Sequence, residues 1–163
     1  MTRSFRTTAT MIMTLLFILP AILTAAQPFD PCSLLTPAEI QAIVGKPVQA
    51  GKLKAQANPV SGADCNYIID GFGSFNVLVR PLQTYDTLDR IKAAFAKMNM
   101  KPTDLPGVGD ASFFTSPGFE MVQLHTFKGG KYILFTILVP GLKEAAVRPM
   151  AEKLMRTVVT RIK

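Results

Sequence analysis

Asp30-Pro-Cys-Ser-Leu-Leu-Thr-Pro-Ala-Glu-Ile-Gln-Ala-Ile-Val-Gly45 writes both ends of a helix into the chain and sets a cysteine just ahead of it. Thr36 is the N-cap candidate, since its hydroxyl can accept an otherwise orphaned amide of the first turn. Pro37 takes the first helical position, where a missing N–H costs nothing, and Glu39 stands where a capping-box carboxylate reaches back to the Thr36 amide. Leu35 and Ile40 occupy the positions of a hydrophobic staple, and Gly45 stands where a left-handed residue ends a helix. The stretch predicts a short, sharply bounded helix of about two turns.

Upstream, the first 26 residues read as a secretory signal. Arg3 and Arg6 charge its start, Met11 to Leu23 is apolar, and Thr24-Ala25-Ala26 offers small residues for cleavage before Gln27. Cys32 is preceded by Phe29-Asp30-Pro31 rather than by a small-residue box, so lipidation is not expected. The rival reading is an uncleaved anchor: Ala9 to Ala26 has 18 residues, borderline for a span. With cleavage the expectation is a periplasmic or extracellular product without a transmembrane span, one domain over 27–163, or 163 − 26 = 137 residues.

Removing the two signal arginines leaves 16 Lys and Arg against 11 Asp and Glu, a charge of +5. These charges are scattered, with no basic run and no aromatic-rich basic motif, so specific nucleic-acid binding is not expected. The balance licenses a weak attraction to anionic envelope polymers or lipid head groups. Cys32 and Cys65 are the only cysteines, and an even number in an exported chain reads first as a disulfide. Redox or metal chemistry would want a closer spacing such as Cys-x-x-Cys.

Along the chain, Val48 to Gln56 reads as an edge strand guarded by Lys52 and Lys54, and Ala57 to Ala63 as a loop. Cys65 to Ile69 and Ser74 to Arg80 form a hairpin across Asp70-Gly-Phe-Gly73, with Phe75, Val77 and Val79 on one face. Tyr85, Leu88, Ile91, Phe95 and Met98 trace the apolar stripe of a helix from about Tyr85 to Met98, with Asp86 and Asp89 in its first turn complementing the dipole. Ala111 to Thr115 is a strand and Ser116-Pro-Gly118 a turn. Phe119 to Phe127 and Lys131 to Val139 form a second hairpin at Lys128-Gly-Gly130, whose last strand is apolar on both faces and belongs at the sheet centre. Pro149 divides the closing segment into a short turn near Lys143 to Val147 and a main helix from about Pro149 to Arg161. There Met150, Leu154, Val158 and Ile162 face the sheet, and Lys153, Arg156 and Arg161 face solvent. The expectation is an α+β domain, an antiparallel sheet of about five or six strands packed with helices in the order α-βββ-α-βββ-α. Each half pairs a helix with a three-stranded unit, the outline of a decayed duplication, but residue-level similarity between the halves is too poor to carry that further.

Motifs that carry chemistry are incomplete. Gly107-Val-Gly109-Asp110-Ala-Ser112 lacks the third glycine of a dinucleotide fingerprint and leads into a strand, so it is a turn. In Gly71-Phe-Gly-Ser-Phe75 the glycines do not flank the serine as a nucleophile elbow requires. His125 is the only histidine; an envelope hydrolase would need it in a cleft beside Asp110 or Glu120. Met98-Asn-Met100 pairs thioethers suited to cuprous copper, but Met98 already completes the helix stripe. No cofactor or metal is expected.

Pro31-Cys-Ser-Leu-Leu-Thr-Pro-Ala-Glu-Ile40, Cys65-Asn-Tyr67 and Gly107-Val-Gly-Asp-Ala-Ser112 together resemble a family of small exported bacterial domains of unknown function. It includes actinobacterial lipoproteins whose mature domain opens on an Asp-Pro-Cys-Ser-Leu-Leu-Thr-like helix. The lipid-attachment cysteine and low-complexity tether of those lipoproteins are missing here, so the resemblance does not imply anchoring. It implies an exported α+β domain with paired Cys32 and Cys65, with Tyr67 in the core, and it implies no reaction.

The expected function is a non-catalytic binding or interaction module of the cell envelope, its partner an envelope protein or anionic polymer. Phe72, Phe113, Phe114 and Phe119, close to turns, are the candidate binding surface, although core burial is the simpler fate for most of them. The competing classes are an envelope-associated hydrolase and a small-ligand or metal carrier.

Overall fold

In a computed structural model, which describes residues 29–55 and 61–162, the capping box forms as read. Helix α1 spans Pro37–Val44; the Thr36 side chain accepts from the Glu39 amide, the Glu39 carboxylate accepts from the Thr36 amide, and Gly45 closes the helix at φ 71°. Leu35 and Ile40 are both buried. The signal stretch, its anchor alternative, the last residue of the expected edge strand (56) and residues 57–60 of the expected loop lie outside the described residues.

Seven strands follow: β1 Lys52–Ala55, β2 Ala63–Ile69, β3 Gly73–Pro81, β4 Thr103–Asp104, β5 Ala111–Gly118, β6 Met121–Lys128 and β7 Lys131–Leu138. They form one antiparallel sheet in the order β1-β2-β3-β7-β6-β5-β4, with helix α2, Leu88–Lys97, between β3 and β4 and helix α3, Glu144–Arg161, after β7. The count exceeds the expected five or six because of β4, two exposed residues on the edge beside Phe113 and Phe114. A two-residue strand carries no periodicity to read. The doubly apolar β7 is the central strand, and β1 lies on an edge.

The sheet is covered on both faces, unequally. Ile40, Val44, Val147, Ala151, Leu154 and Val158 from α1 and α3 pack on the face carrying Phe75, Val77, Leu124, Phe135 and Ile137. On the other face Leu88, Ile91 and Phe95 of α2 cover Phe113, Phe127 and Tyr132. The expected helical stripe is therefore right in its middle and wrong at its ends: Tyr85 and Met98 are exposed, and the helix starts after an N-cap at Thr87. Asp86 is diverted from the dipole by a bidentate pairing with Arg80 of β3.

Two further expectations are corrected. Ser116 to Gly118 continue β5 across an irregularity in its register with β6, instead of turning. Pro149 does not break the closing helix; α3 is continuous through it. Pro149 and Ala145, the residue whose carbonyl it leaves without a helical partner, both face solvent, where water replaces the missing bond. Leu154, Val158 and Ile162 are buried as read. Arg156 and Arg161 are exposed as read, and each also makes contacts, Arg156 with the Gly107 carbonyl and Arg161 with the Leu34 carbonyl and the Glu39 carboxylate.

Cys32 and Cys65 form a disulfide, their Cα atoms 5.1 Å apart. It ties the turn Pro31–Ser33 to β2, and the buried Tyr67 hydroxyl donates to the Leu35 carbonyl at 2.7 Å beside it. Gly51 passes so close that a Cβ there would stand 2.5 Å from the Cys65 sulfur and 2.7 Å from the Tyr67 ring. No helix among the described residues is long and apolar enough to cross a membrane.

Candidate functional site

The hairpin register brings two turns to one end of the sheet. Ile69 pairs with Gly73 across the β2–β3 turn, Ser74 pairs with Leu138 at the end of β7, Ile137 pairs with Val122, and Gly118 pairs with Met121 across the β5–β6 turn. The tips carry Phe72 and Phe119, which are 99% and 91% exposed. Three strand spacings separate the two turns, about 14 Å. Gly71 and Gly73 flank Phe72 and Gly118 precedes Phe119, so no neighbouring side chain shields either ring on those sides.

Both rings sit on backbone that a bulky residue avoids. Phe72 has φ 70°, and in the β5–β6 turn Phe119 and Glu120 have φ 55° and 59°. A two-residue loop with both φ values positive is the hairpin turn that Asn-Gly or Gly-Gly normally fills, because the left-handed region costs other residues about 1–2 kcal/mol each. The same molecule uses the ordinary solution at the opposite end of the sheet, where Gly129 and Gly130, at φ 55° and 72°, join Lys128 to Lys131. Among the described hairpin turns, the positive φ values that fall on residues other than glycine lie at the end that presents phenylalanine; Asn99, after α2, takes the same region with a side chain that tolerates it.

The other two members of the expected aromatic surface do not belong to it. Phe113 and Phe114 are buried on opposite faces of β5, as neighbours on a strand must be. Phe114 lies under the Arg148 guanidinium, 5.1 Å from its ring centre. Phe113 stacks on His125. Two consecutive phenylalanines within a strand point to opposite faces, and that is the signal that Phe113 and Phe114 enter two cores.

His125 is fully buried. Its Nε2 meets the Thr115 hydroxyl at 2.8 Å and its Nδ1 the Tyr132 hydroxyl at 2.6 Å, so both ring nitrogens are engaged. Phe113 and Phe95 enclose the ring, each with its centroid 4.5 Å away. Burial pushes the imidazole pKa down to about 3, leaving the ring neutral near pH 7. Tyr132 in turn lies beneath the Arg80 guanidinium, and burial raises its phenol well above the usual range. The carboxylates that a hydrolase would set beside the imidazole are elsewhere: Asp110 accepts from the Gly129 amide at the Gly-Gly end, and Glu120 is exposed at the phenylalanine end. Met98 is exposed and Met100 lines a shallow cavity of about 390 Å³ with Ala96, Asn99, Lys101 and Pro102, which brings no imidazole or second sulfur to it. Among the described residues no three His, Cys, Asp or Glu side chains converge as a metal site would need.

Fold and rim define a disulfide-stapled α+β domain that displays two aromatic hairpin tips at one end of its sheet. The chain matches no family model, no curated protein and no solved structure.

Proposed function

We propose that this protein is an exported, non-catalytic interaction module of the bacterial cell envelope, docking through the rim that carries Phe72 and Phe119. One observation carries the reading: both rings are almost wholly exposed on strained, left-handed turns, while the glycine turn at the far end relieves the same geometry. Strain of this kind persists where a side chain is needed for something other than folding. The charged apolar leader at the start of the sequence, the Cys32–Cys65 disulfide and the resemblance of the Asp30-Pro-Cys-Ser-Leu-Leu-Thr36 opening to exported bacterial domains support the compartment. The engaged nitrogens of His125 support a structural part for that residue.

The test is site-directed photo-cross-linking in the native envelope, with a photoreactive phenylalanine analogue at position 72 or 119 and, as the reference, at Lys131 beside the glycine turn. Adducts specific to the first two positions are expected. Identical labelling patterns at all three would sink the reading.

A further inference from the structure

We infer that the surface entered by Phe72 and Phe119 is the headgroup–acyl boundary of a phospholipid bilayer. This rests on the rim being the docking site, and it adds the chemistry of what is docked on.

Shape argues first. The rings stand on two hairpin turns about 14 Å apart, at an end of the sheet where β2, β3, β7, β6 and β5 run out together while the edge strands β1 and β4 stop short. A protein partner would need two separate pockets at that spacing, whereas a bilayer boundary accepts protruding aromatic rings at any spacing. Area argues next. Two phenylalanine side chains can bury roughly 300–500 Å², well short of the roughly 800 Å² that each partner contributes to a specific protein complex. The shortfall is immaterial for partitioning into lipid, which needs apolar area without shape-matched contact.

Charge and chain direction agree. Asp70 and Glu120 adjoin the tips, and Lys46 and Lys143 stand behind them, Lys46 just ahead of Pro47, whose carbonyl accepts from the Asp70 amide. Glu144 pairs with Arg148, so beside the tips the two lysines offset Asp70 and Glu120, and the rings carry the contact. Helix α1 runs out through Lys46 to Pro47, whose carbonyl meets Asp70 beside the Phe72 turn, and helix α3 starts at Glu144 shortly after β7 ends at this rim. Neither helix covers the rings, since Phe72 and Phe119 keep nearly all of their surface exposed.

The chain has no tryptophan, so one placed at a tip reports without background. Phe72→Trp and Phe119→Trp, each in the otherwise unchanged protein, would be mixed with vesicles of phosphatidylethanolamine and phosphatidylglycerol in low and high salt. The expected result is a blue-shifted emission, quenched by lipids brominated near the headgroup and retained in high salt, with no shift for Leu53→Trp on the sheet edge. Vesicle co-sedimentation of the Phe72→Ser/Phe119→Ser double variant should fall at least tenfold below the unmodified protein, with circular dichroism verifying that it is folded. Unshifted emission at both tips, or equal co-sedimentation of the two proteins, overturns the lipid assignment. If tip-specific cross-links to an envelope protein survive that outcome, the docking rim stands and only its partner changes; if they are also absent, both fail.

Discussion

His125 lies face to face with Phe113, directly opposite it in register on strands β6 and β5, with ring centroids 4.5 Å apart and planes within 7° of parallel. Enclosure by Phe113 and Phe95 removes the water that a charged imidazole would need. The native histidine therefore holds no proton until the pH approaches about 3, whereas in the unfolded chain it takes one up near pH 6.5. Between those values the unfolded state binds the extra proton, so stability is fully present above the unfolded pKa and is lost as pH falls. Urea unfolding should show a loss of about 2 kcal/mol between pH 7.5 and 5, a range above the titration of ordinary carboxylates. His125→Gln should flatten that slope, though it will lower stability at every pH by disturbing the contacts to Thr115 and Tyr132. A pH-independent midpoint for the unmodified protein over this range would contradict the burial of a neutral imidazole.

Glu39 serves two elements at once. Its carboxylate closes the capping box of α1 and receives the Arg161 guanidinium from the end of α3, 122 residues away in sequence. The Arg161 hydrogen bond first, then the Thr36 amide, lowers its pKa to about 2. Both groups are partly exposed, so the ion pair itself contributes little and the cap most of the effect. Glu39→Ala should cost about 1–2 kcal/mol in denaturant unfolding, and Arg161→Ala less than half of that. Because the pKa is depressed, this contribution is present above pH 4.5 and disappears as pH falls towards 2, below the histidine window.

Removing the disulfide by Cys32→Ser/Cys65→Ser should lower stability by about 3–4 kcal/mol in the chain-entropy account of a closed loop of this length. Gly51 supplies a sharper check on the local packing. A methyl group there would collide with the fixed Cys65 sulfur and the Tyr67 ring, so Gly51→Ala should cost about 1–3 kcal/mol. In a Cys32→Ala/Cys65→Ala background that cost should shrink, since half of the collision is gone. Strict additivity of the substitutions would mean that the chain can shift away from the disulfide.

The ends of α1, the two hairpins and the central place of β7 were legible because each rests on local chemistry: a capping box, a turn signal, an apolar run. What escaped was decided by tertiary partners. Asp86 fits a helix start by dipole logic, yet Arg80 on the neighbouring strand claims it. Pro149 reads as a breaker, but its helix has a solvent face on which a missing bond is cheap. Of the aromatic residues near turns, Phe113 and Phe114 were hidden by a strand covered on both faces, which composition alone does not reveal. Phe72 was visible as a turn residue, whereas Phe119 was read as the start of a strand because the turn was set at Ser116-Pro-Gly118, three residues early. Their left-handed backbone was not visible, because phenylalanine is the wrong residue from which to infer it.

That mismatch yields the last prediction. Phe119 and Glu120 fill a two-residue turn suited to Asn-Gly, so Phe119→Asn/Glu120→Gly should stabilise the protein by about 1–3 kcal/mol, read as a higher urea midpoint at unchanged slope. Phe72→Asn should act in the same direction by a smaller amount, relieving one strained residue instead of two. With the photoreactive analogue at the other, unreplaced tip, each variant should lose cross-links in the envelope, separating folding from docking in opposite directions. A rim selected only for stability would have taken these residues already, as the Gly129–Gly130 turn has. Loss of stability in both variants would mean that the rings brace the hairpins and that their exposure has no bearing on binding.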